Sequence, residues 1–198
     1  MSFDVVEQFE KRIANFFGAP YAIATDCCTH AIELCLRYKN VQHTTVPKHT
    51  YLSIPMTLEK LGLDWKFNDE EWSDYYKLKD TNIIDAAVLW KPNSYISGTF
   101  MCLSFQFKKH LSLGRGGIIL CDNLLDHNEL IKMSYDGRRR DSPWIEQNVD
   151  QIGYHYYMTP ETAQLGLDKL PNAVNTESNN WTWKDYPDLS IMPVFTNK

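Results

Sequence analysis

Three stretches of this sequence carry residue types at spacings that could do chemistry. From Ser104 to Gly117, a serine ends an apolar run, a lysine pair follows, and a Gly-x-Gly-Gly turn leads into a second apolar run. A lysine amine held uncharged is both a nucleophile toward carbonyl carbon and a carrier of protons. Taken alone, the pair Lys108-Lys109 reads as a surface pair, because lysine is almost never fully buried. In Ile83-Ile84-Asp85-Ala86-Ala87 a carboxylate ends an apolar strand and two small residues follow; alone it reads as a turn or helix cap. Thr25 to Ile32 forms a turn that opens a helix, whose free N–H groups make a site for an anion. Thr29 can add a hydroxyl donor there, or serve as an ordinary first-turn residue.

Together these stretches resemble the DegT/StrS family of sugar aminotransferases, which have the aspartate-aminotransferase-like fold of pyridoxal phosphate (PLP) enzymes. Ser104-Phe105-Gln106-Phe107-Lys108-Lys109-His110-Leu111-Ser112-Leu113-Gly114-Arg115-Gly116-Gly117 is similar to the family segment that holds the lysine bonded to the cofactor. The spacing from Ser104 and to Gly114 selects Lys109. The resemblance implies that Asp85 pairs with the pyridine nitrogen, and that Ser104 and Thr29 hold the phosphate. Cys28 stands where the family has glycine in the phosphate turn, and Val88 stands where it usually has Gln or His. Tyr51, in His49-Thr50-Tyr51, is expected near the cofactor; a core tyrosine is the plainer account. Gly153 to Leu170 resembles a family segment that reaches across a homodimer to the neighbour's cofactor phosphate, with His155 in place of Asn and Tyr157 in place of Arg.

The resemblance runs from about Phe9 to Leu170, yet family members are almost twice as long. Between Phe67 and Ile83 there is room for one short connection where the family has a further strand and helix, and the small C-terminal domain is absent. The implied function is PLP-dependent transfer of an amino group from an amino acid to a keto-sugar. The alternative is a catalytically degenerate relative that binds cofactor, sugar nucleotide or a partner without transamination.

The elements that must position these residues follow from apolar periodicity. Val5, Phe9, Ile13 and Phe16/Phe17 lie at helical spacing and Gly18-Ala19-Pro20 stops the run, which predicts an opening helix over 4–17. Residues 21–26 read as a strand, and Ala31, Leu34, Cys35 and Tyr38 as one face of a helix. A strand and loop over 44–53, a helix ending at Gly62 and a strand at 63–67 follow. Three further apolar runs, at 82–87, 99–105 and 117–123, are bounded by turn residues. Strands interleaved with helices predict an α/β fold: three layers, a mostly parallel mixed sheet with helices on both faces, in truncated form. Residues 1–171 are expected to form the large domain and 172–198 an extended C-terminal arm, part of which docks through Trp181, Trp183 and Tyr186.

Composition bounds the rest. The chain has 198 residues, 43% of them hydrophobic, with a net charge of −5; that suits one globular domain and offers no basic face for nucleic acid. Arg138-Arg139-Arg140 is expected to be a solvated loop. No apolar run reaches the length of a bilayer span, and the N-terminus lacks the order of a signal peptide, so a cytoplasmic protein is expected. Five cysteines without paired CxxC spacing argue against disulfides and against a metal site. The expected partners are a second copy of the chain and small-molecule substrates.

Overall fold

The structure is a computed structural model describing residues 2–196. In chain order it runs α1 (Asp4–Phe17), β1 (Tyr21–Thr25), α2 (Cys28–Tyr38), β2 (His43–Pro47), α3 (Ser53–Lys60), β3 (Asp64–Asn68), β4 (Tyr76–Lys77), β5 (Ile83–Asp85), β6 (Phe100–Ser104), β7 (Gly117–Cys121), α4 (Leu124–Ser134) and α5 (Pro160–Ala173). Short 3-10 turns lie at Trp144–Glu146, Trp183–Asp185 and Leu189–Ile191. The opening helix ends as the sequence predicts, with Gly18 in the left-handed region (φ 75°) accepting the chain reversal that a side chain would resist. α4 and β4 are elements that apolar periodicity did not reveal.

Side-chain alternation explains why both sheet faces are dry. Ala22 and Ala24 of β1, Met101 and Leu103 of β6, and Ile118 and Leu120 of β7 face a core completed by Phe9, Ile13 and Phe17 of α1. Ile23, Phe100, Cys102, Ile119 and Cys121 face the opposite way, onto Leu34, Cys35 and Leu58 of α2 and α3. A period of two on both faces is the signature of a sheet buried between helix layers. Gly166 of α5 lets the two helices of the first layer meet: a Cβ there would stand 2.4 Å from the Phe9 ring.

The main sheet has the order β1-β7-β6-β5-β4, with a separate pair β2-β3. It is mixed: β5–β6 and β2–β3 pair in parallel, while β1–β7, β6–β7 and β4–β5 are antiparallel. The parallel character expected from the sequence is therefore confined to two pairings. The gap between β2 and β5 is stitched by the short connection. Lys79 N–H donates to Thr45 O (3.0 Å) and Leu78 N–H to Ile83 O (3.0 Å), and Thr44 Oγ1 donates to Lys79 O (2.8 Å).

Two expectations need correction. Arg140 is not solvated: its side chain is 4% exposed and pairs with the buried Glu10 at 2.9 Å, which also accepts from Ala24 N–H. The C-terminal stretch, whose polar composition also allowed partial disorder, docks through more than its aromatic residues at 181–186, since Leu189 and Phe195 are buried in the α2-side core. Among the described residues, no helix is long and apolar enough to cross a membrane.

Candidate functional site

Asp85 and Ser104 end the parallel strands β5 and β6, where α/β sheets place their sites. Strand alternation puts both on the α2 side, in phase with Ile83 and Cys102. Asp85 is 6% exposed. Its Oδ1 accepts from Ala87 N–H (3.0 Å) and its Oδ2 from Tyr76 Oη (2.8 Å), whose hydroxyl also meets Thr50 Oγ1 at 2.5 Å. Tyr76 comes from the short connection, and no local pattern in the sequence pointed to it. Burial pushes the Asp85 carboxyl above its usual range, while Tyr76, Ala87 N–H and Lys109 hold it down.

Lys109 lies in a loop shaped by its own backbone. Lys109 N–H donates to Gln106 O, Leu113 N–H to Phe105 O, and Phe107 N–H to Gly114 O. Gly114 (φ 81°) and Gly116 (φ 154°) take conformations that favour glycine. Gly117 has a different duty: a Cβ there would lie 2.4 Å from Cys27 C and Cys28 N, so β7 passes directly beneath the first residues of α2. Burial lowers the Lys109 amine from its ordinary value, opposed chiefly by the charge of Asp85. Among the described residues the amine has no hydrogen-bond partner; its nearest recorded contact is the Trp181 ring, 5.8 Å from Nζ to the centroid.

Cys28, buried at the start of α2, belongs to the same group. Burial first, and the Asp85 charge second, push its thiol well up, so it stays neutral. α2 starts without a side-chain cap, leaving its first N–H groups available to an anion. Thr29 Oγ1 instead bonds Ser53 Oγ (2.8 Å), tying the start of α2 to α3. Ser104 Oγ accepts weakly from Gln106 N–H (3.4 Å).

Two small cavities flank Ala87 and Val88. The larger, about 130 Å³, is lined by Ser104, Lys109 and, from the arm, Ser178, Asn179 and Trp181. The smaller, about 20 Å³, is lined by Tyr51, Tyr76, Asp85 and the arm's Tyr186. Of the residues singled out in the sequence, Lys109 and Ser104 line the larger cavity, Asp85 and Tyr51 the smaller, and Val88 both, while Cys28 and Thr29 at the start of α2 line neither. His155 does not join them: it is 70% exposed and pairs with Asp136 at 3.1 Å. Tyr157, next but one, packs instead on Phe3 and Tyr135.

The sequence reading overlooked the surroundings of the α2 turn. His30 Nδ1 meets Asp26 Oδ1 at 2.7 Å, Arg115 binds Asp26 Oδ2 at 2.8 Å, and the His30 ring stacks on Tyr156 at 3.7 Å. Burial disfavours the imidazolium, but the bonds to Asp26 and Cys27 prevail and push it up to about 9. Asp26, Cys27 and His30 offer ligand atoms within 4.8 Å of one another, yet the two cations already seated on Asp26 neutralise what a metal ion would need. The i, i+4 spacing of Asp26 and His30 was the signal available.

A model of the DegT/DnrJ/EryC1/StrS aminotransferase family matches residues 1–88 and 96–183. No curated protein sequence matches the chain. Among solved structures, AtS13 from Actinomadura melliaura superposes with a TM-score of 0.77 at 18% identity, covering 88% of this chain and 61% of that one. The sugar aminotransferase CalS13 from Micromonospora echinospora gives 0.74 at 14%, covering 86% and 61%. The PLP form of Spr1654 from Streptococcus pneumoniae gives 0.71 at 17%, covering 86% and 60%. At these identities the likeness shows the fold, and the chain spans less than two thirds of the length of each structure.

Proposed function

Because this chain belongs to the DegT/DnrJ/EryC1/StrS aminotransferase family, we propose that it holds pyridoxal 5'-phosphate between Asp85 and Lys109 and transfers an amino group from an amino acid to a keto-sugar. One observation carries the reading: a buried carboxylate at the end of β5 and a half-buried amine without a hydrogen-bond partner, in the loop after β6, line two cavities that share Ala87 and Val88 in their walls. Each is pushed toward its neutral form by burial. Buried charge is stable only when paired, so the two groups suit a ligand that brings a cationic nitrogen to one and a carbonyl to the other.

The donor set fits that cofactor. Asp85, held in orientation by Tyr76 and Ala87 N–H, would grip the protonated ring nitrogen. The uncapped start of α2, with Ser104 and Thr29 beside it, would hold the phosphate. When bound, the cofactor supplies an electron sink for a carbanion at the substrate carbon. Lys109, its amine deprotonated more easily than an ordinary lysine, takes the proton from that carbon and returns it elsewhere. Val88 and Ala87 line both cavities and keep the floor of the pocket apolar.

Homodimerisation belongs to the same proposal. Trp144, Ile145, Val149 and Ile152 are exposed just before the 153–159 segment, and an apolar cluster of this kind marks an interface. The segment would then offer His155 to a second copy. Gel filtration with light scattering tests this, and a monomer would remove it.

The functional reading is tested by adding the cofactor to purified protein, reducing with borohydride and mapping the labelled peptide. The expected label is on Lys109, with Lys109→Ala unlabelled. Label on Lys108, or none at all, defeats the assignment.

A further inference from the structure

The arm that follows α5 runs across the mouth of the Lys109 pocket as a strap. Its near end is latched, because Ala173 O accepts from Trp90 Nε1 (3.0 Å) and His110 Nε2 (2.8 Å). Its far half is anchored too. Asp74 N–H donates to Trp181 O (2.8 Å), Trp183 N–H to Trp72 O (3.1 Å) and Leu189 N–H to Lys48 O (2.9 Å), with Leu189 and Phe195 buried beyond.

Between the two anchorages the strap is loosely held. From Thr176 to Asn180 no backbone group makes a backbone hydrogen bond among the described residues. Ser178 Oγ, donating to Trp90 O at 3.0 Å, ties its middle. Stretches with so few bonds open at low free energy. This loosely held span, with Trp181 at its end, supplies one wall of the pocket through Ser178, Asn179 and Trp181.

The space enclosed is the second observation. About 130 Å³ lies beside Lys109, whereas pockets that hold small molecules measure about 300 Å³ or more. The chemistry suits a ligand, but the closed wall does not leave room for one.

We propose that Trp181 is a positioning residue for the Lys109 amine, and that the 176–180 span, hinged at the anchored Trp181 backbone, is a gate that swings outward to admit the cofactor. The far half of the arm stays docked while it moves. The identity of the entering molecule rests on the functional reading above; the role of Trp181 does not.

The charged or titratable groups acting on the amine are Asp85 from β5 and Cys28 from α2, with Lys108 and His110 of its own loop lining the same cavity. Trp181 acts on this set by excluding water. Its ring also attracts an ammonium, but 5.8 Å is at the outer edge of the range for that attraction, about 6 Å, so exclusion of water prevails.

The test uses apo protein, full length, as wild type, Trp181→Ala and Trp181→Phe, with folding checked by circular dichroism. Lys109 is acetylated with acetic anhydride and, separately, trinitrophenylated with the bulkier trinitrobenzenesulfonate across a pH series, and the labelled peptides are quantified. In Trp181→Ala the labelling midpoint should rise by about one pH unit toward the ordinary lysine value, and Trp181→Phe should restore most of the difference. Above the midpoint, the bulky reagent should react about tenfold faster in Trp181→Ala and the small one much less so, which reads the gate directly. An unchanged midpoint overturns the positioning role, and equal bulky-reagent rates overturn the gate. Absence of any borohydride-fixed cofactor in wild type would count against the functional reading alone, since these labelling results need no cofactor.

Discussion

The Lys109 pocket has two walls of different construction. The inner wall, Asp85 with Ser104 and the lysine loop, is built by adjacent strands and by hydrogen bonds within the loop itself. The outer wall, Trp181 and Tyr186, comes from the far end of the chain and is joined to the connection at 72–76. A wall made by local backbone geometry is rigid as soon as the sheet forms. One made by docking can open without unfolding the sheet.

The largest effect expected from breaking this contrast is at the inner wall. Lys109→Ala should lower amino transfer by at least about a thousandfold, because it removes both the bonding amine and the proton carrier; stopped-flow spectra of the amino-acid half-reaction measure it. Stability should hardly change, since the amine is not hydrogen-bonded in the fold. An amino-transfer rate within tenfold of wild type would mean the inner wall is scaffolding.

Next comes the anchor of the outer wall. Leu189→Ala empties a fully buried site and should cost about 2–5 kcal/mol in urea unfolding. If the midpoint holds and tryptophan fluorescence alone changes, the arm is a separate unit and the contrast between the walls is sharper than the buried contacts imply.

A smaller effect is expected where the two walls meet. Tyr76→Phe deletes the donor to Asp85 Oδ2 and a partner of Thr50, costing about 1–3 kcal/mol of stability. It should also raise the Asp85 carboxyl further, because the Tyr76 bond is among the influences holding it down. Cofactor affinity would then fall more steeply on acidification than in wild type. A parallel pH profile for the two proteins would show that Tyr76 does not govern the carboxylate.

The smallest effect belongs to the α2 turn outside both walls. His30 is raised from 6.5 to about 9 by Asp26 and Cys27 against the pull of burial. A raised imidazolium contributes stability that is complete below about 6.5 and lost as pH rises through about 9. Melting temperature should therefore decline between these values more in wild type than in His30→Gln; equal declines would remove His30 from the account.

Legibility in the sequence followed the same division. Asp85 ends an apolar run, and Lys109 sits a fixed distance from Ser104 and from a glycine turn, so a reader of the chain meets both in a recognisable local setting. Tyr76 had no such setting: it lies in a two-residue strand at the edge of the sheet, paired with β5. Trp181 and Tyr186 could be marked as residues that dock, since exposed tryptophans in a polar stretch are costly. Where they dock depended on contacts more than a hundred residues away along the chain, Trp181 with Asp74 and Tyr186 with His49 and Trp72. Arg140 shows the converse error, a charge run read as solvated because its partner Glu10 lies 130 positions earlier.

By itself, the sequence determined the alternation that buries both faces of the sheet, the helix that opens the chain, and the positions of the acid at a strand end and of the amine in the glycine-bounded loop after β6. Those depend on periods of two and 3.6 residues and on glycine conformations, which are local properties. Only the tertiary structure decided which carboxylate oxygen Tyr76 holds, how much space remains beside Lys109, and which ring covers it. Those depend on where distant segments meet, and burial there shifts both protonation equilibria in ways that no single stretch of sequence encodes.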